Sequence, residues 1–227
     1  MSVPVAVVTG AGGGMGAVIV AELARTHQVH ALARRPESVE ALPVAVVRHL
    51  GDLRSGEFLD EVAAAVGEVD VVVHAAAIGE HLSVEHATEA KWLEQLGTNV
   101  VAPAELTRRL LPGLRRRQGT VVFIGSGAGT RPVPGSALYT ASKHALRGLA
   151  DVLRIDEAAH RVRVVTVAPG QTDTPMLRQG MDEADYAPER YIRPESVALT
   201  VRFVVDAPAD VHLTDIAVRP RVEIARL

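Results

Sequence analysis

The stretch Thr9-Gly10-Ala11-Gly12-Gly13-Gly14-Met15-Gly16 follows an unbroken apolar run, Val5-Ala6-Val7-Val8. It opens a segment, Met15 to Thr26, whose apolar residues recur every three to four positions. An apolar run suited to burial on both faces, then a glycine turn, then a helix is the start of a parallel α/β unit. Glycines allow a tight turn and close approach of a ligand, and the N–H groups of the helix N-terminus can hold a pyrophosphate. The same cluster also suits an ordinary strand-to-helix turn, so its reading depends on the rest of the chain.

Working outward, Val29 to Ala33, Val44 to His49, Val69 to His74, Thr120 to Ile124, Val162 to Ala168 and His212 to Val218 read as further strands. Gly56 to Val66, a region around Glu89 to Arg117, Ser136 to His160 and Glu195 to Val205 carry helical spacing. The alternation predicts an α/β fold: one Rossmann-like, doubly wound domain spanning residues 1–227, with seven parallel strands and helices on both faces. A cofactor half covers about 1–118 and a catalytic and substrate half about 119–227. Gln171 to Pro194 has no clear period, and a loop of that length is usually functional or disordered.

Composition narrows the function. With 24 basic against 27 acidic residues, a net charge of −3 gives no electrostatic case for nucleic acid or an anionic membrane. Zero cysteines exclude a disulfide framework, a cysteine nucleophile and a thiolate metal site, and agree with a cytoplasmic location. The first ten residues lack the pattern of a signal peptide. Glu68 and Asp70 interrupt the most apolar stretch before it reaches the length of a membrane span.

The second strand ends Ala31-Leu32-Ala33-Arg34-Arg35, where an NAD site would place an acid against the ribose hydroxyls. A small Ala33 followed by Arg34 instead leaves room for a 2′-phosphate and offers a guanidinium to pair with it, which predicts NADP(H) over NAD(H). As a bare pair, Arg34 and Arg35 could also be solvated loop residues.

At the other end, Tyr139 and Lys143 lie four apart at the start of a helix and project from one face. A free phenol has a pKa of about 10 and yields little phenolate at neutral pH, and a nearby ammonium should lower it. Ser126 follows the strand Thr120 to Ile124, at the end of the sheet where ligands bind, and its hydroxyl can hold a carbonyl or alcohol oxygen.

Thr9-Gly10, Gly14 and Gly16, then Gly119-Thr-Val-Val-Phe-Ile-Gly-Ser126-Gly-Ala-Gly129, then Tyr139-Thr-Ala-Ser-Lys143 resemble, in order and separation, the motifs of the short-chain dehydrogenase/reductase family. The resemblance runs from about Val5 to Pro194. It implies an oxidoreductase that moves a hydride between a nicotinamide and a carbonyl or secondary alcohol, with Tyr139 as general acid/base. It implies that Asn99 bends its helix and anchors a water beside Lys143, that Asp52 contacts the adenine, and that Thr174, after Pro169-Gly170, meets the nicotinamide carboxamide. Asp52 alone could equally cap the next helix. The expected catalytic set is Ser126, Tyr139, Lys143 and Asn99. The expected cofactor set is Thr9, Gly10, Gly14, Met15, Gly16, Arg34, Arg35, Asp52, Leu53, Ala75, Ala76, Tyr139, Lys143, Pro169, Gly170, Thr172 and Thr174. Where the family commonly reads Asn-Asn-Ala-Gly, this chain has His74-Ala75-Ala76-Ala77, and a buried histidine there reads as a hydrogen-bonding structural substitute.

Thr174 to Arg193 is expected to cover a small-molecule substrate, with Met176, Leu177, Met181, Tyr186 and Tyr191 either contacting it or anchoring the loop. His81 and His86 flank a loop without metal-ligand spacing, so no metal is expected. Arg115-Arg116-Arg117 reads as a solvated helix end. A homo-oligomer, dimer or tetramer, follows from the resemblance. The alternative to an enzyme is a non-catalytic NADP(H)-binding sensor or scaffold; an epimerase or dehydratase is disfavoured by length, since no sizeable substrate domain is expected after Val205.

Overall fold

The computed structural model describes residues 3–222 apart from 180, 183 and 185. Seven parallel strands form one sheet in the order β3-β2-β1-β4-β5-β6-β7. They are β1 (Val5–Thr9), β2 (Gln28–Ala33), β3 (Val47–Leu50), β4 (Val71–His74), β5 (Thr120–Ile124), β6 (Arg163–Pro169) and β7 (Asp215–Val218). The connecting helices are α1 (Gly14–Leu23), α2 (Gly56–Val66), α3 (Glu89–Leu96), α4 (Ala102–Arg117), α5 (Ala137–Asp156), α6 (Pro175–Arg178) and α7 (Pro194–Val205). Chain winding reverses between β1 and β4, so a crevice opens beyond their carboxyl ends.

Valine runs make the central strands because both sheet faces are covered. Val71, Val72 and Val73 of β4 and all of β5 are buried. Alternate residues feed two cores: Ala6, Val8, Val71 and Val73 pack with α1 and α7, whereas Val7, Val72, Val121 and Phe123 pack with α2, α4 and α5. Each fully buried Val or Leu contributes about 1.5–3 kcal/mol. Edge strands β3 and β7 are largely exposed.

Several boundaries differ from the sequence reading. β3 starts at Val47 rather than Val44, because a turn closed by Val46 N donating to Pro43 O occupies the intervening residues. β7 starts at Asp215, and His212, expected in the strand, instead accepts from the Val164 amide at 2.9 Å. The long helical region around Glu89 to Arg117 is two helices joined by a π-helical turn, Gly97–Val101. Arg115, Arg116 and Arg117 are the exposed helix end expected, and there they pair with Glu157, Glu68 and Asp70. Among the described residues no helix is long and apolar enough to cross a membrane.

Candidate active site

The glycine turn forms one wall of a cleft of about 320 Å3. Gly10 and Gly14 have φ values of 71° and 52°, which glycine adopts without strain. A Cβ on Gly10 would lie 2.7 Å from the Ala76 backbone, and one on Gly16 would lie 2.0 Å from the Gly10 carbonyl oxygen. These glycines therefore let three backbone segments touch. Gly13 has nothing within 4 Å of its Cβ position and Gly14 faces Thr174 at 3.6 Å, so the cleft mouth is left open at the start of α1. No side chain caps that helix and no acid occupies its first turn, so its N-terminus favours an anion.

Thr9 closes the floor. Its Oγ1 accepts from the Ala75 and Ala76 amides at 3.1 and 3.2 Å, tying the end of β1 to the segment after β4. His74 is buried, hydrogen-bonded through Nε2 to Thr107 Oγ1 at 2.8 Å and stacked on Phe123 at 4.9 Å. Burial pulls its pKa down to about 3, so it stays neutral. The histidine is the structural substitute expected, and Ala75, Ala76 and Ala77 all line the cleft.

Met15, Ala33, Arg34, Arg35, Asp52 and Leu53 line the same cleft. Arg34 and Arg35 are exposed, and Arg35 pairs with Glu37 at 3.6 Å. Asp52 does not cap α2, because Ser55 does so by accepting from the Phe58 amide. The Asp52 carboxylate instead holds Arg54, whose hydrogen bonds lower its pKa. Ser38, which no sequence pattern marked, packs against Gly12 and lines the cleft beside Arg35.

Pro169, Gly170 and Thr172 do not line the cleft. They shape the turn that delivers Thr174: Gly170 N donates to Val218 O at 2.7 Å and Thr172 Oγ1 to Gly170 O at 3.1 Å. Thr174 caps α6 and does line the cleft, as does Met176, which packs on Gly79. Tyr186 and Tyr191 stack at 6.0 Å, Tyr191 donates to Met181 Sδ, and Tyr186 donates to Asp173 at 2.8 Å. Those three residues anchor the loop to itself. Leu177 closes the cap of α6 through its amide, and residues 180, 183 and 185 of the expected cover lie outside the described residues.

The expected reacting groups meet from two elements. Ser126 begins a short turn, Gly127–Gly129, whose close packing on α5 requires Gly129: a Cβ there would lie 2.9 Å from the Lys143 carbonyl oxygen. Tyr139, in the first turn of α5, is half-buried, and the Ser126 side chain favours the charged form of its phenol. Buried Lys143 donates from Nζ to Ile124 O at 2.9 Å and lies 5.7 Å from the Tyr139 ring centroid. The expected tuning of the phenol differs here: burial raises the Tyr139 pKa, the Ser126 side chain partly offsets this, and Lys143 is itself pulled down to about 8 by burial.

Asn99 sits in the π-turn. Its amide accepts from Ile78 N at 2.8 Å and donates to Ile78 O at 2.9 Å and Ser142 Oγ at 3.0 Å, fastening the cleft wall to α5. His81 was passed over as a loop histidine. Its Nδ1 meets Ser136 Oγ at 2.7 Å, and its ring lies 5.4 Å from that of Tyr139. Among the described residues no cluster could hold a metal ion.

Comparison with known proteins adds an independent view. The family model for short chain dehydrogenase matches residues 4–185. A farnesol dehydrogenase of Aedes aegypti is 30% identical, covering 95% of both chains. A glycine betaine reductase of Emericella nidulans is 31% identical over 98% of this chain, which spans only 19% of that longer protein. An alcohol dehydrogenase of Thermococcus sibiricus, solved with 5-hydroxy-NADP, superposes with a TM-score of 0.86 at 26% identity, covering 99% of each chain. A 3-ketoacyl-(acyl-carrier-protein) reductase of Brucella melitensis, solved with NADH, gives 0.86 at 25% identity over 95% of this chain and 96% of that one.

Proposed function

The chain belongs to the short chain dehydrogenase family of oxidoreductases, and from that premise we propose that it is an NADP(H)-dependent carbonyl reductase or secondary-alcohol dehydrogenase with Tyr139 as its proton donor and acceptor. The observation that carries this is the convergence of Ser126, Tyr139 and Lys143 beyond the open carboxyl ends of the sheet. The residues present fit a dinucleotide: open space at Gly13, an uncapped α1 and the Thr174 wall shape a cleft lined by five glycines of the turn.

The nicotinamide, when bound, supplies or accepts the hydride. Ser126 donates a hydrogen bond to the substrate oxygen, and the Tyr139 hydroxyl gives that oxygen its proton. A phenol whose pKa is raised by burial remains protonated at neutral pH, which suits the reducing direction. Lys143 holds positive charge behind the ring, and Asn99 keeps the cleft wall and α5 in register. Relatives include proteins solved with NADP and with NADH, so cofactor choice rests on this chain's own residues: small Ala33, Arg34 without an ion pair among the described residues, and the Ser38 hydroxyl. The single sheet supports one domain, its cofactor half running to about 118. Exposed Val101 in the π-turn and Val152 and Ile155 on α5 support a homo-oligomer, and a cysteine-free chain suits the cytoplasm.

The test is NADPH oxidation over a panel of ketones and aldehydes with wild type and Tyr139→Phe, alongside NADPH fluorescence titration. Turnover by wild type alone, with NADPH bound by both, is expected. Binding without turnover in wild type would move the assignment to a sensor.

A further inference from the structure

Arg219 stands directly after β7, whose last residue, Val218, pairs with Pro169 and accepts from Gly170 N at 2.7 Å. Buried Pro220 follows, and a Cβ on Gly170 would lie 3.0 Å from its ring. The backbone on both sides of the arginine is thus fixed at the end of the sheet that holds the reacting groups. From there the side chain reaches Gly127, one peptide beyond Ser126. A Cβ on this buried glycine would lie 3.1 and 3.5 Å from the two terminal guanidinium nitrogens. The absence of a side chain at Gly127 makes the space in which the guanidinium rests.

A guanidinium carries a permanent charge and five donors, and its planar fork pairs best with a carboxylate. The other half-buried arginines have acceptors within the fold. Arg109, Arg147, Arg154 and Arg202 meet carboxylates, and Arg163 donates to Thr120 and two backbone carbonyls. Arg219 is equally half-buried, yet among the described residues it has neither a hydrogen bond nor an ion pair. Its position beside Ser126 points its unused donors to a ligand of the reacting site.

We propose that Arg219 is a substrate-recognition residue that binds a carboxylate, so the substrate is an oxo acid or hydroxy acid whose carboxylate lies a few carbons from the reacting carbon. This rests on the reductase reading above. Charge-assisted pairing with a planar fork fixes the distance between the acid group and the oxygen held by Ser126. A neutral ketone of the same length gains only the Ser126 and Tyr139 contacts.

The experiment measures kcat and KM with NADPH for 4-oxopentanoate, 5-oxohexanoate and 6-oxoheptanoate and for their methyl esters, in wild type, Arg219→Gln and Arg219→Lys. Calorimetric titration of each protein with pentanoate, which cannot be reduced, runs in parallel. Wild type should favour at least one acid over its ester. Arg219→Gln should lower that acid-to-ester ratio of kcat/KM by about tenfold to a hundredfold, mainly through KM, and Arg219→Lys should recover part of it. Pentanoate binding should weaken in the same order. Equal use of acids and esters by wild type, or a ratio unmoved by Arg219→Gln, overturns the proposal. If wild type reduces nothing but binds pentanoate through Arg219, the anion site stands and the reductase reading fails. If pentanoate binding is absent or indifferent to Arg219 as well, both fail.

Discussion

The two ends of this site are built from different materials. The nucleotide cleft is mostly backbone: glycines without Cβ atoms, free amides at the start of α1, and a threonine hydroxyl that holds two more amides. The proposed reacting end is side chain: Ser126, Tyr139 and Lys143 arrive from two elements and offer one hydroxyl, one phenol and one buried ammonium. A backbone site fails by being filled, and a side-chain site fails by being emptied. The two failures have separate signatures.

Emptying has the largest expected effect. Tyr139→Phe should lower kcat by about a thousandfold with NADPH affinity close to wild type, read by initial rates and fluorescence titration. Filling comes next: Gly16→Val places atoms against the Gly10 carbonyl, and NADPH affinity should fall about tenfold to a hundredfold, with a lower Tm. A Gly16→Val protein that bound NADPH normally but turned over slowly would break the contrast.

The pH dependence sharpens it. Lys143 has its pKa lowered from 10.5 to about 8, so its charge is lost as pH rises past about 8. Reductase kcat/KM should fall about tenfold per pH unit above that point if this charge is required. The same group makes the fold more stable as pH rises from about 8 to 10.5, because there the unfolded chain binds the extra proton. Activity and this contribution to stability therefore move in opposite directions, and Lys143→Ala should abolish the opposition. His74 acts on the acid side. With a pKa lowered from 6.5 to about 3, its contribution is complete above 6.5 and is lost as pH falls, by up to about 1.4 kcal/mol per pH unit. Urea melts of His74→Asn between pH 7 and 4 should show a flatter dependence than wild type. The smallest effect belongs to an exposed group: Arg34→Ala should cut the preference for NADPH over NADH about tenfold, with NADH affinity little altered.

What the sequence disclosed followed the same division. Valine runs named the central strands because both sheet faces are buried there, and the glycine turn and the Tyr139 to Lys143 spacing are local patterns. Boundaries slipped where single side chains took over, as when His212 left β7 to meet Val164. Periodicity alone did not show the π-turn, because helical spacing continues across it, but the family resemblance had Asn99 bending its helix at this point. Ser38, His81 and Arg219 carry no local pattern. Each gains its place from a partner distant in the chain: Gly12, Tyr139 and Gly127. The electrostatics of the phenol also escaped, since spacing gives the approach of Lys143 but not the burial that dominates both groups.

Thr9 ties the two strands that flank the reversal of winding, spending one oxygen on two amides of the facing segment. Its consequence is mechanical. The crevice cannot widen by parting β1 from the segment after β4 without breaking both hydrogen bonds, so that side is a fixed anvil. A closing stroke on a dinucleotide is then left to the other walls, the Thr174 and Met176 side among them.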